Sequence, residues 1–138
     1  MGVNQISIFL ENTTGRLYEA TKIIAQAGIN IRAINLGNTA DFGILRLTTD
    51  KTDETIKVLN EAGFTAKLTE ATALELDDEP GSIAKLLEKL RESNVGVEYL
   101  YTSYGGAVGR AIVILKLNDD EKGMKVFKDN NYTVVETF

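Results

Sequence analysis

Cysteine, histidine and tryptophan are absent from these 138 residues, and proline occurs once. Without Cys there is no disulfide, no thiolate metal ligand and no thiol nucleophile, and without His the commonest general base and the commonest metal ligand are gone. Much enzyme chemistry is thereby disfavoured, and neither a metal nor another cofactor is expected. Basic residues are in the minority, 15 Lys and Arg against 20 Asp and Glu, for a net charge of −5. Docking on a phosphate polyanion needs clustered Lys and Arg to displace counterions, so nucleic acid is not an expected partner. Long apolar runs are missing too. None approaches the roughly 20 residues that span a bilayer, and a polar-flanked strand begins within five residues of Met1, so neither a membrane span nor a leader is expected and the location inferred is cytoplasmic. What is present, 43% hydrophobic and 25% charged residues, suits an ordinary globular chain with a sizeable core.

The chain says nearly the same thing twice. Ile6 to Leu17 falls on Thr72 to Ile83, which aligns Gly15 with Gly81 at an offset of 66 residues. Farther on, Ile44 to Asp50 falls on Ile112 to Asn118 and Phe64 on Tyr132, at an offset of 68. The copies therefore differ by two residues of insertion near Gly105-Gly106. A duplicated unit this short usually has its functional site where copies meet.

Within the first copy, Ile6, Ile8 and Leu10 alternate as one face of a strand. After Asn12-Thr13-Thr14-Gly15 the period becomes helical, with Leu17, Ala20, Ile24 and Ala27 as the apolar stripe. Gly28 supplies a helix stop, and strands are predicted at 30–36 and 43–48. The short polar side chains of Asp50-Lys51-Thr52-Asp53 suit an N-cap for a helix carrying Ile56, Leu59 and Ala62 inward, and 64–69 forms a fourth strand. The second copy predicts strand 71–76, helix 81–93, strands 95–102 and 110–117, helix 120–129 and strand 132–137. Each copy thus reads βαββαβ, giving domains 1–70 and 71–138, and Glu70 joins them without the Pro, Gly or Ser of a flexible linker. The class is α+β: two ferredoxin-like βαββαβ units side by side, an antiparallel sheet with helices on one face. The strand Ala111 to Leu117 is apolar on both faces, so Ile112 and Ile114 are expected to meet another sheet, through a homodimer or a fold of one half back onto the other.

The two strand-to-helix junctions are the candidate chemistry. In each, an amide or acid (Asn12, Asp78) precedes a Gly (Gly15, Gly81) by three residues, just before the helix. Unsatisfied N–H groups of the first helical turn and the helix dipole favour a carboxylate there, and Gly keeps the backbone approachable. The side-chain oxygen of Asn12 or Asp78 can accept from an ammonium, so the two features together match an α-amino acid zwitterion. The plainer alternative is that Asn12 and Asp78 are N-caps and the glycines only relieve crowding.

Glu11-Asn12-Thr13-Thr14-Gly15-Arg16-Leu17, the helix ending Ala27-Gly28-Ile29-Asn30-Ile31, and Asp77-Asp78-Glu79-Pro80-Gly81-Ser82-Ile83 closely resemble the ACT domain, in a protein made of two such domains in tandem. The resemblance covers essentially the whole chain. Its most specific part is the acid or amide followed by Pro-Gly before an aliphatic helix; the second copy has the Pro, and the first has Thr14 in its place. The resemblance implies an amino-acid-sensing fold whose domains pair into an eight-stranded sheet with four helices on one face. It places the ligand between the strand-to-helix loop of one domain and the second strand of its neighbour. On that analogy Asn12, Thr14, Gly15, Arg16 and Leu17 face Val97, Tyr99 and Tyr101, while Asp78, Gly81, Ser82 and Ile83 face Ile31, Ala33 and Asn35. Asn30, at a position where amino-acid-binding ACT domains often carry Asn, aligns with Gly96 in the second copy. Binding is therefore expected to be unequal, and stronger at the loop containing Asn12.

The remaining motifs carry less. Tyr99, Tyr101 and Tyr104 cluster, and Tyr99 and Tyr101 share one strand face, where they either wall a ligand or simply pack. Gly105-Gly106-Ala107-Val108-Gly109-Arg110 joins two strands and lacks a following Lys-Ser or Lys-Thr, so it is a hairpin tip rather than a phosphate cradle. Asp77-Asp78-Glu79 and Asn118-Asp119-Asp120-Glu121 lack EF-hand spacing and sit at helix starts, where a capping arrangement of Asn118 with Glu121 explains the latter. The leading reading is a regulatory, non-enzymatic module that binds a small amino acid and passes its output to a second copy or to a separate enzyme or regulator chain. A ligand-free assembly module and a small isomerase-type enzyme are the alternatives.

Overall fold

In the computed structural model the described residues are 2–38, 41–103 and 107–136. The elements, in order, are β1 (Val3–Glu11), α1 (Arg16–Gln26), β2 (Ile31–Asn38), β3 (Phe42–Thr49), α2 (Thr52–Glu61), β4 (Thr65–Asp77), α3 (Ser82–Glu92), β5 (Val97–Thr102), β6 (Arg110–Leu117), α4 (Asp120–Asp129) and β7 (Thr133–Val135). The chain divides into two compact units, 4–69 and 70–138 with residues 1–3. The strands expected at 64–69 and 71–76 are one 13-residue strand, β4. With neither Gly nor Pro between Thr65 and Asp77, nothing interrupts its extended backbone.

In the 4–69 unit the strand order is β2-β3-β1-β4, and β1 pairs antiparallel with β3 through Ile6 with Leu47, Ile8 with Leu45 and Leu10 with Gly43. The alternating residues Ile6, Ile8 and Leu10 are all buried. They form one cluster with Leu45 and Leu47 of β3 and with Ala20, Ile24 and Leu59 of the two helices, so both helices lie on the same face. In the other unit β4 pairs with β6 on one side and β7 on the other, and β5 adds to β6. Its core joins Leu74, Leu76, Val113, Leu115 and Leu117 to Leu86 and Leu90 of α3 and Val126 and Phe127 of α4. Both units therefore have the ferredoxin-like order, fourth strand, first, third, second, that βαββαβ connections impose.

Several local expectations are corrected. Leu17 does not join the buried stripe of α1 but is 37% exposed, like its counterpart Ile83 at 39%. No side chain caps α2, whose N-cap is Lys51; the Asp50 carboxylate instead accepts from the Asn30 N–H at 2.9 Å. Asn118 does the same for Gly96, at 2.9 Å. With Asn118 so engaged, α4 is capped one residue later, by Asp119 accepting from the Lys122 N–H. Ile112 and Ile114 are 8% and 0% exposed in the single chain, so their burial needs no second copy. Tyr104 and Gly105-Gly106, read from the sequence as part of a hairpin tip, lie outside the described residues, as do Thr39 and Ala40 between β2 and β3.

Gly123, buried inside α4, tests how tightly the second core is packed. A Cβ there runs into Leu117 Cδ1 and comes within 3.9 Å of Phe127. Helix propensity alone makes Gly→Ala a gain of about 1 kcal/mol, whereas overpacking costs about 1–3 kcal/mol. Leu117 is itself buried and has little room to yield, so Gly123→Ala is expected to lower stability in urea denaturation by about 1 kcal/mol net. A gain in stability contradicts this packing.

Candidate functional site

The two strand-to-helix turns have nearly superimposable hydrogen bonding. Where β1 ends, Asn12 N–H donates to the Asp41 carbonyl (3.4 Å), Thr13 N–H to Glu11 (2.8 Å) and Arg16 N–H to Thr13 (3.3 Å). Where β4 ends, Asp78 N–H donates to Gly109 (2.9 Å), Glu79 N–H to Asp77 (3.0 Å) and Ser82 N–H to Glu79 (3.3 Å). Each turn passes into its helix through a glycine in the left-handed region, Gly15 at φ 91° and Gly81 at φ 89°. These glycines, not Asn12 and Asp78, occupy the N-cap positions, and no side chain caps either helix. The N–H groups of Leu17 and Tyr18, and of Ile83 and Ala84, therefore have no intrahelical acceptor.

The reason for glycine here is conformational. A Cβ on either residue meets nothing within 4 Å, so crowding is not relieved; rather, the positive φ is what an L side chain resists. The same observation leaves the space around either glycine's Cβ position open. In each turn an amide or carboxylate side chain, Asn12 or Asp78, stands exposed.

Beyond this shared frame the turns differ. The Gly81 turn borders a depression of about 220 Å³, formed by Asp78, Gly81, Ser82, Ile83 and Ala84 with Leu76 beneath and Thr102, Ala111 and Val113 of β5 and β6 as its far wall. On its other flank lies a broader polar depression of about 560 Å³, whose lining includes Lys85, Lys89, Arg110 and Tyr132. There Arg110 donates to Glu75 (2.9 Å) and pairs with Asp77. The hydrogen bond to Glu75 leads the effects that raise the Arg110 pKa above its ordinary value, so its charge is firmly held by carboxylates at the base of the turn. At the other turn Arg16 folds away: its guanidinium sits 4.2 Å above the Phe64 ring and bonds Glu19 at 2.7 Å.

The sequence-derived site residues thus fall into separate groups. Asn12, Thr14, Gly15, Arg16 and Leu17 share one turn, and Asp78, Gly81, Ser82 and Ile83 the other. Asn30 and Ile31 lie at the far end of β2: Ile31 pairs with Thr49 while Asn38 pairs with Gly43, beside the Glu11–Phe42 pair that precedes the turn. At about 3.4 Å per residue, the two ends are roughly 20 Å apart. Within its own unit, then, Asn30 stands away from the turn, and its backbone is held by Asp50. Asn35 is half-buried opposite Arg46 in mid-strand. Val97 packs on the second core. Tyr99 and Tyr101 stack with ring centroids 6.5 Å apart, and Tyr101 is buried. They pair with Lys116 and Ile114, on the sheet face away from the helices, so neither lines the Gly81 depression. Thr102 does, and the sequence reading passed over it. Period-2 alternation offered the signal, because a face carrying Tyr99 and Tyr101 leaves Leu100 and Thr102 on the α3 side. Among the described residues no group of three or more acidic side chains is arranged to hold a metal ion, and no helix is long and apolar enough to cross a membrane.

Against known proteins, residues 1–137 match the ACT domain pair family. A protein of Bacteroides thetaiotaomicron with a solved crystal structure is 32% identical, with a TM-score of 0.88 over 98% of this chain and 92% of that one. The fold is also similar to the ligand-free regulatory subunit of aspartate kinase from Thermus thermophilus, 16% identical at a TM-score of 0.67 over 94% and 93% of the two chains. The regulatory subunit of aspartate kinase from Thermus flavus is 15% identical, with a TM-score of 0.61 over 94% and 92%. Among curated proteins, none matches the sequence.

If the positive φ alone explains the glycines, Gly15→Ala and Gly81→Ala each lower stability by about 1–2 kcal/mol in chemical denaturation, and by similar amounts. A much larger loss at either position contradicts the open space found around both.

Proposed function

The chain belongs to the ACT domain pair family, and on that premise we propose that it is a regulatory protein that binds a small α-amino acid at a strand-to-helix turn. The observation that carries the proposal is the Gly81 turn: two uncapped helical N–H groups, a neighbouring Asp78 carboxylate and an open depression of about 220 Å³ in one place. At roughly 30 Å³ per water, that is space for about seven waters, the bulk of one small metabolite. A carboxylate of the ligand accepts from the Ile83 and Ala84 N–H groups and is favoured by the helix dipole. Its ammonium donates to Asp78, and Ser82 stands beside both. Leu76, Ile83 and Val113 give its side chain an apolar floor. On the family resemblance, the second strand of a neighbouring ACT unit closes over the turn.

Regulation follows from linkage. An amino acid that touches two ACT units stabilises the arrangement in which they meet by RT ln(1 + [L]/Kd), about 2.7 kcal/mol at a hundredfold excess over Kd. The output is a changed association with a second copy of this chain or with a separate enzyme or regulator chain, in the cytoplasm. Catalysis has no part in this reading, in keeping with a sequence that has neither His nor Cys.

The test is a thermal-shift screen against the twenty amino acids, repeated on Gly81→Val and Gly15→Val. One small amino acid is expected to raise Tm in proportion to the logarithm of its concentration. The responding glycine variant is expected to lose that rise while keeping its oligomeric state in light scattering. A glycine variant that alters assembly and leaves the thermal shift intact favours the ligand-free assembly module instead.

A further inference from the structure

We infer that the chain takes one amino acid, not two, at the Gly81 turn, and that the pair facing each turn across the sheet, Thr102 with Ala111 or Leu36 with Gly43, makes the choice. This rests on the amino-acid-binding reading above. The duplication sets the two pairs in correspondence: Leu36 pairs with Leu45 as Thr102 pairs with Val113, and Gly43 pairs with Leu10 as Ala111 pairs with Leu76. All lie on the helix-bearing face, since Leu10, Leu45, Leu76 and Val113 belong to the two cores.

At the Gly81 turn, Thr102 is short and Ala111 is half-buried, and both line the open depression. At the Gly15 turn the equivalent pair is Leu36 and Gly43. The Leu36 Cδ1 atom stands 3.1 Å from where a Gly43 Cβ would lie, so Leu36 covers Gly43, which is buried. A side chain at Gly43 would need the Leu36 tip to give way by a few tenths of an ångström. A ligand approaching the Leu17 and Tyr18 N–H groups therefore meets a leucine where its counterpart at Ile83 and Ala84 meets a threonine.

Charge selects the same turn. Asp78 offers an ammonium a charge-assisted hydrogen bond, roughly twice as strong as the neutral one from Asn12. Arg16, the one cation within the first turn, is turned onto Phe64 and Glu19. The feature that pointed the other way was Asn30, and its backbone answers to Asp50 much as Gly96 answers to Asn118, so the Asn30/Gly96 difference leaves that bridge the same in both copies. The order of affinity read from the sequence is thus reversed, and the pocket wall of small and branched residues fits an aliphatic or hydroxyl-bearing side chain.

The experiment is isothermal calorimetry on the full chain with the L-amino acid that gives the largest thermal shift, comparing wild type, Thr102→Leu and Leu36→Thr. Wild type is expected to bind one molecule per chain. Thr102→Leu abolishes binding, and Leu36→Thr brings the stoichiometry toward two. Both residues are surface-exposed, and unchanged circular dichroism and Tm without ligand show that each variant folds. Two sites per chain in wild type, or one site that survives Thr102→Leu and is lost in Gly15→Val, overturns this inference and leaves amino-acid sensing standing. Absence of binding by all twenty amino acids overturns the sensing reading itself, and this inference with it.

Discussion

A backbone angle governs the candidate site. At Gly15 and again at Gly81 the chain leaves a strand, reverses, and enters a helix through a residue at φ near +90°. That conformation occupies the N-cap position with a residue that has no side chain, so the second and third amides of the helix have no intrahelical or capping acceptor. A helix that began instead on a Ser or Asp in the usual extended N-cap conformation would have those amides capped. The site is thus made by withholding a common stabilising interaction, worth about 1 kcal/mol per cap. Such a local departure from the best helix start is the kind of inconsistency that marks functional positions.

Duplication shows which features the fold requires and which are free to differ. The Asp50–Asn30 and Asn118–Gly96 bridges recur with different side chains, because the backbone groups they join are common to both units. The turn hydrogen bonds recur as well. What changes is the wall opposite the turn, threonine and alanine in one copy against leucine over glycine in the other. The first-turn residues Leu17 and Ile83 remain exposed in both.

The fold was legible because its signals are periodic. Ile6, Ile8 and Leu10 alternate as one strand face requires, and apart from the two strands that run together as β4, element ends moved by one or two residues. Capping was less legible. Asp50 and Asn118 were assigned to helix starts because their residue types suit caps, but a partner 20 or more residues away, Asn30 or Gly96, held their side chains instead. Of the site, the two turns were readable from Gly and the preceding acid or amide, since these are contiguous. Thr102 was legible only as the alternate face of the strand carrying Tyr99 and Tyr101, and the approach of Leu36 to Gly43 was not, because it is a diagonal contact between strands that no local pattern encodes. Tyr99 and Tyr101 drew attention as aromatics, yet the face they occupy is decided by pairing with Lys116 and Ile114.

The central claim is that the amides of one glycine-opened helix start receive a carboxylate. Backbone amide shifts followed by NMR during titration with an L-amino acid test it most directly. The Ile83 and Ala84 amides are predicted to move downfield and saturate together, while those of Leu17 and Tyr18 stay in place. Silence at Ile83 and Ala84 under saturating amino acid, with shifts elsewhere, would contradict it.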